Sequence, residues 1–236
     1  MTAAYALRPV GRDSLRDQAY AAIRDGVLAG RFAPGERVTI RALAASLGTS
    51  PTPVREALNQ LVAEGTFELL PNGSASIPAM TLDRFAQLRA MREALEGLAV
   101  ERAAAAIDDA ALSGVRGLLD ELQDLAAAGD FARYLARHRA FHFAVYRAAG
   151  MPLLTEAIDA LWLRCGPVLS FVVPEYVRRK KGAAHHAALV VALAAGDGTA
   201  ARAAVCGDIA DAADWLCGLA DAGGVIRDRR AAARRA

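Results

Sequence analysis

Residues 46–65 read SLGTSPTPVREALNQLVAEG, with Pro51 and Pro53 one residue apart directly ahead of a run of good helix formers. Whether these prolines end a helix or begin one decides how the N-terminal third of the chain folds. Ser50 carries the hydroxyl of an N-cap, and Pro51 then takes the first helical position, where its missing N–H would have had no partner. Pro53 is still in the first turn and also costs no internal hydrogen bond. The prolines therefore open a helix. Beyond them Val54, Ala57, Leu58, Leu61 and Val62 recur at helical spacing and form one apolar face, while Thr52, Arg55, Glu56 and Asn59 gather on the other.

Upstream, LRDQAYAAIRDGVLAG (residues 15–30) places Leu15, Ala19, Ala22, Ile23 and Val27 at helical spacing and ends on Gly30, a residue suited to a left-handed cap. A Pro34-Gly35 turn and Thr39 precede a second, short helix, IRALAASLG, that closes at Gly48. Downstream, residues 67–70 and 75–77 read as short strands around Asn72-Gly73, a hairpin signal. Three helices and a hairpin outline a winged helix-turn-helix over residues 10–78. Residues 79–225 are helical almost throughout, with breaks near Asp108, Gly129, Gly150, Pro174, Gly196 and Gly223, which gives an all-α bundle of six or seven helices. Residues 226–236 form a basic tail. The expected fold class is mainly α.

Composition agrees. Hydrophobic residues make up 54% of the 236, rich in Ala and Leu and poor in aromatics, as in helical proteins. The N-terminus has no apolar segment long enough for a signal peptide, and no apolar run approaches a membrane span, so the expected location is the cytoplasm. Cys165, Cys206 and Cys217 are odd in number with no CxxC pair, which excludes a readable disulfide framework or zinc ribbon. A net charge of +2 gives no general pull toward nucleic acid, so DNA binding must rest on one local surface. In a helix-turn-helix the second helix of the motif enters the major groove by its N-terminal end. Here that end offers Thr49, Ser50, Thr52, Arg55 and Asn59, with hydroxyls for phosphates and a guanidinium for guanine or phosphate.

All four histidines fall between residues 138 and 186. In FARYLARHRAFHFAV, Phe131, Leu135, His138, His142 and Val145 share one seam, so two imidazoles occupy core positions one turn apart, a spacing that can grip one metal ion. His186 shares a stripe with Val190 and Leu193, and Asp208 one with Val205, Ala212, Trp215 and Leu219. Buried His and Asp also pair with one another without metal. Three His and a carboxylate, all at core positions of a bundle, favour a divalent ion: zinc first, with nickel or manganese as the other candidates. His185 is left over, as second support or surface.

The N-terminal segment, with its PGE turn, the LA..LG.S.TPVREAL..L..EG spacing and the wing that follows, resembles the DNA-binding domain of GntR-type bacterial regulators over about fifty residues. The resemblance implies DNA contacts from Arg41, from Thr52 and Arg55, and from the wing at Asn72 and Gly73. Many members carry Arg where this chain has Pro51. The bundle resembles the FadR-type effector domain, called FCD, through AFHFAVYRAAGMPLL and HHAALVVALAAGD. Metal-binding members show an Asp, a His and two later His in order; this chain has His138, His142, His186 and Asp208 at those places, with the carboxylate moved to the last. The same resemblance implies a homodimer on an inverted-repeat operator and a small carboxylate or sugar-acid effector, which Arg92 in MREALE would contact. The competing role for Arg92 is a surface i,i+4 ion pair with Glu96, like Arg89 with Glu93. Two other functions stay open at this point: a metalloenzyme, though no HExxH or GxSxG is present, and a regulator whose metal is purely structural.

Overall fold

A computed structural model of the chain describes residues 14–71, 73–172, 175–178 and 181–228. Ser14 opens helix α1 (Leu15–Leu28) with a capping box: its hydroxyl accepts from Asp17 N–H while the Asp17 carboxylate accepts from Ser14 N–H. Strand β1 (Arg37–Val38) follows the Pro34-Gly35 turn, and Thr39 then caps α2 (Ile40–Leu47) by accepting from Ala42 N–H at 3.1 Å. Gly48, left-handed at φ 63°, ends α2 and sets up the short turn into α3 (Pro51–Ala63).

The prolines do begin α3, with Ser50 at the N-cap, but the Ser50 hydroxyl makes no cap bond. The third helical residue is Pro53, which has no N–H to give, so one of the two usual cap donors is missing. Val54, Ala57, Leu58 and Leu61 are buried as their spacing demands. They pack with Ile23 and Val27 of α1, with Phe67 and with Ile77. The wing consists of β2 (Glu68–Leu69) and β3 (Ala75–Ser76), antiparallel, and β1 joins the far edge of β3 to give the order β1-β3-β2. This third strand was not foreseen, because two residues between a turn and a helix cap are too few to show alternation.

The second region runs through α4 (Leu82–Ala106), α5 (Asp109–Ala128), α6 (Phe131–Ala148), α7 (Pro152–Leu169), a 3-10 turn (Ser170–Val172), α8 (Glu175–Arg178), α9 (Lys181–Ala195) and α10 (Gly198–Cys217). Asp108, Asp130 and Asp197 cap α5, α6 and α10. The bundle core centres on Val100, Phe141, Val145, Tyr146, Ile158 and Leu189. Ile226 is buried beside Met80 and Phe85, and its N–H donates to Met80 O, so the chain is still part of the fold at the start of the expected basic tail. Residues 229–236 lie outside the described residues. No described helix is long and apolar enough to cross a membrane.

Helix α7 ties the two regions together. Leu163 is buried in the N-terminal core, and a Cβ on Gly166 would stand 3.0 Å from Val27 O, so a side chain there would press on the α1 backbone. Asp159 accepts from Arg24 of α1 on one oxygen and from Arg139 of α6 on the other. At the far end of α3, Arg164 Nε donates to Glu64 O at 3.0 Å and Arg84 to Gly65 O at 3.3 Å. These carbonyls have no helical partner of their own, and the bundle supplies one.

Candidate functional site

The first candidate surface is the outer face of α3. Ser50, Thr52, Arg55 and Asn59 are exposed, as is Arg41 on α2, while Thr49 is half-buried in the turn. With no cap bond to make, the Ser50 hydroxyl is exposed at the positive end of the helix, where an anion is favoured. Gly73 is exposed in the wing with φ 77°, a left-handed conformation that the tight turn requires. Asn72 lies outside the described residues.

The second candidate is inside the bundle. One ligand atom each from His138, His142, His186 and Asp208 lies within 4.8 Å of all the others. His142 Nε2 is 3.2 Å from His138 Nε2 and 3.6 Å from Asp208 Oδ2, and His186 Nε2 is 3.5 Å from the same oxygen. Two atoms bound to one tetrahedral zinc at its usual distances would lie about 3.4 Å apart, so the spacing fits such an ion. Beyond this 3.5 Å approach to Asp208, the buried His186 Nε2 makes no hydrogen bond among the described residues, and a metal would satisfy it. Burial, reinforced by His186, holds His138 down at about 3, and burial with His138 holds His142 well below its ordinary range. Both rings are neutral near pH 7, the form that ligates metal. Burial alone would raise the Asp208 carboxyl, but His186 and His142 outweigh it and keep Asp208 ionised.

A hydrogen-bonded chain supports the cluster from behind. His142 Nδ1 lies 3.2 Å from Tyr146 Oη, and Tyr146 Oη donates to Glu96 Oε2. Glu96 is fully buried and also accepts from Arg92 Nε at 2.6 Å and Trp162 Nε1 at 3.0 Å. The surface reading of the Arg92–Glu96 pair is thus corrected: the i,i+4 bond exists, but α6 and α7 close over it. For Arg92, burial alone would lower the pKa, and Glu96 more than offsets it. His185 faces Asp211 at 3.3 Å and stands outside the cluster.

In front of the cluster is a cavity of about 470 Å³, lined by Arg92, His138, Trp162, His186 and Asp208 and reaching Leu28 at the end of α1. Tyr176 and Arg139 also line it, each with a buried polar atom, Oη and Nε, that has no hydrogen-bond partner among the described residues. Burial raises the Tyr176 hydroxyl above the ordinary tyrosine range, so it remains a donor. Tyr146, Tyr176 and Arg139 were not singled out by sequence, and Glu96 only as the i,i+4 partner of Arg92. Tyr146 left a signal, one turn beyond His142 on the same face.

A winged helix joined to a helical bundle whose cavity meets a His/Asp cluster defines a class that comparison makes specific. Residues 15–77 match the family model for bacterial regulatory proteins, gntR family, and residues 87–211 match the FCD domain. HTH-type transcriptional regulator McbR of Escherichia coli (strain K12) is 34% identical over 143 residues, 61% of this chain and 65% of that protein, just under two thirds of its length. A protein of Paenarthrobacter nicotinovorans described as "Probable D-xylose utilization operon transcriptional repressor" is 33% identical over 168 residues, 71% of this chain and 74% of its own. The solved structure of E. coli McbR/YncC superposes with a TM-score of 0.78 at 28% identity, over 86% of this chain and 95% of that one. The chain belongs to the GntR family of bacterial regulatory proteins and carries an FCD domain. Its relatives are transcription regulators, not enzymes, and the metalloenzyme reading is set aside.

Proposed function

We propose that the chain is a cytoplasmic, ligand-responsive repressor that binds an inverted-repeat operator as a homodimer. Thr49 and Ser50 meet DNA from the turn before α3, Thr52, Arg55 and Asn59 from α3, Arg41 from α2, and Asn72 and Gly73 from the wing. Two copies related by a two-fold axis match two half-sites. His138, His142, His186 and Asp208 hold a divalent ion, zinc by the chemistry of three imidazoles and one carboxylate. When bound, the ion supplies a Lewis-acidic centre for an anionic ligand.

The observation that carries the effector reading is the position of the cavity. Its wall includes both the His/Asp cluster and Leu28, the last residue of α1. An organic acid seated there touches the element that packs on α3, and shifts DNA affinity by whatever difference in affinity it has for the two arrangements. A gel-shift on DNA flanking the gene, with and without candidate carboxylates and chelator, tests this reading. A shifted band that responds to acid supports it, and no band under any condition removes it.

A further inference from the structure

Away from its metal-type cluster the cavity is mainly hydrocarbon. Leu119 and Leu122 of α5, Leu135 of α6, Leu169 of α7, Val177 of α8 and Ile209 of α10 form its wall, and Leu28 closes it toward α1. A buried sugar acid would need a polar partner for each hydroxyl, because an unpaired hydroxyl in an apolar setting is costly. Outside the cluster and Tyr176, the polar groups of the described wall are mostly taken: Arg92 and Trp162 are engaged by Glu96 and Arg139 by Asp159, which leaves Arg139 Nε, Tyr134 and, at the exposed rim, Gln123.

The polar end, by contrast, suits one acceptor-only head. A Cβ built on Gly182 would lie 3.2 Å from Asp208 Oδ1, 3.7 Å from the Tyr176 ring and 3.9 Å from the His186 ring. Tyr176 therefore stands beside the cluster, with a buried hydroxyl that has no hydrogen-bond partner among the described residues. A carboxylate carries only acceptors and can take that donor.

We propose that this cavity binds an amphipathic monocarboxylate, its head between Tyr176 and the His/Asp cluster and its alkyl or aryl body against the leucine-rich wall, and that it rejects polyhydroxylated acids. The inference rests on the effector reading above and narrows its ligand from organic acids in general to this class. A cavity of this size is in the range that encloses a drug-sized ligand.

The test uses the metal-loaded full chain without DNA, read by Trp162 fluorescence or calorimetry. Butanoate, hexanoate and octanoate form a length series, and gluconate is the six-carbon polyhydroxylated probe. Affinity should rise about threefold per added CH2, as apolar burial dictates, and hexanoate should bind at least about tenfold tighter than gluconate. Tyr176→Phe should weaken all three alkyl probes by about tenfold or more and leave the slope with length unchanged. Ala126→Gln, on the half-buried part of the wall, should flatten the slope while the protein stays folded. A flat length series in the native protein, gluconate binding as tightly as hexanoate, or no binding of any probe overturns the proposal. Because no DNA is present, such a failure is distinct from failure of the regulator reading, which the gel-shift decides.

Discussion

Tyr146 Oη lies 3.2 Å from His142 Nδ1 while giving its own proton to Glu96. The hydroxyl oxygen can therefore only accept from the imidazole, so His142 carries its proton on Nδ1 and turns a bare Nε2 toward His138 and Asp208. Tyr146→Phe removes this control without emptying the core. Metal affinity, measured by competition with a chromophoric chelator, should fall by roughly ten- to a hundredfold. An unchanged affinity would show that the tautomer is set elsewhere.

The four donors are expected to act as one site. His142→Ala with His186→Ala should abolish stoichiometric metal in the purified protein, whereas His185→Ala should retain it, since His185 pairs with Asp211 instead. Metal content by mass spectrometry decides. Equal metal content in the double variant and the native protein would remove the assignment. Chelation should also lower the thermal midpoint, because an ion that binds only the folded chain stabilises it.

The joint at α7 should carry the signal between the two regions. Asp159 holds Arg24 of α1 and Arg139 of the cavity wall, and Arg164 caps the end of α3. Asp159→Asn and Arg164→Ala should leave carboxylate binding nearly intact while the ratio of operator affinities with and without ligand falls toward one. Native coupling of this kind typically spans about 5- to 150-fold, so the loss is measurable by anisotropy. Full coupling in both variants would move the path away from these residues.

Pro51 is exposed at the first position of α3, where the resemblance to GntR-type regulators implies an Arg in many members. Pro51→Arg adds a guanidinium beside the exposed Ser50 hydroxyl and should strengthen or retarget DNA binding with the fold intact. Selection from a randomised operator library compares the two proteins. Identical affinity and preference would mean that this position does not face the groove.

The helices of the N-terminal region were legible because each boundary is written locally. Thr39, Gly48 and the Ser50-Pro51 pair stop and start helices through their own backbone chemistry. Period likewise placed His138, His142, His186 and Asp208 on inward faces, and the structure brings them together. What period cannot give is the partner across the interface. Arg92 and Glu96 have the spacing of a surface pair, and only the packing of Tyr146, 50 residues on, and Trp162, 66 residues on, makes Glu96 a buried acceptor. The orphaned Tyr176 hydroxyl is likewise a property of the cavity around it and has no sequence signal.

The most direct test of the account is a fluorescence anisotropy titration of labelled operator DNA with metal-loaded protein, repeated with octanoate and after chelation. The account predicts tight, salt-sensitive binding that octanoate changes by about fivefold or more in the metal-loaded protein and does not change once the ion is removed. Operator binding of equal affinity in all three conditions would contradict it.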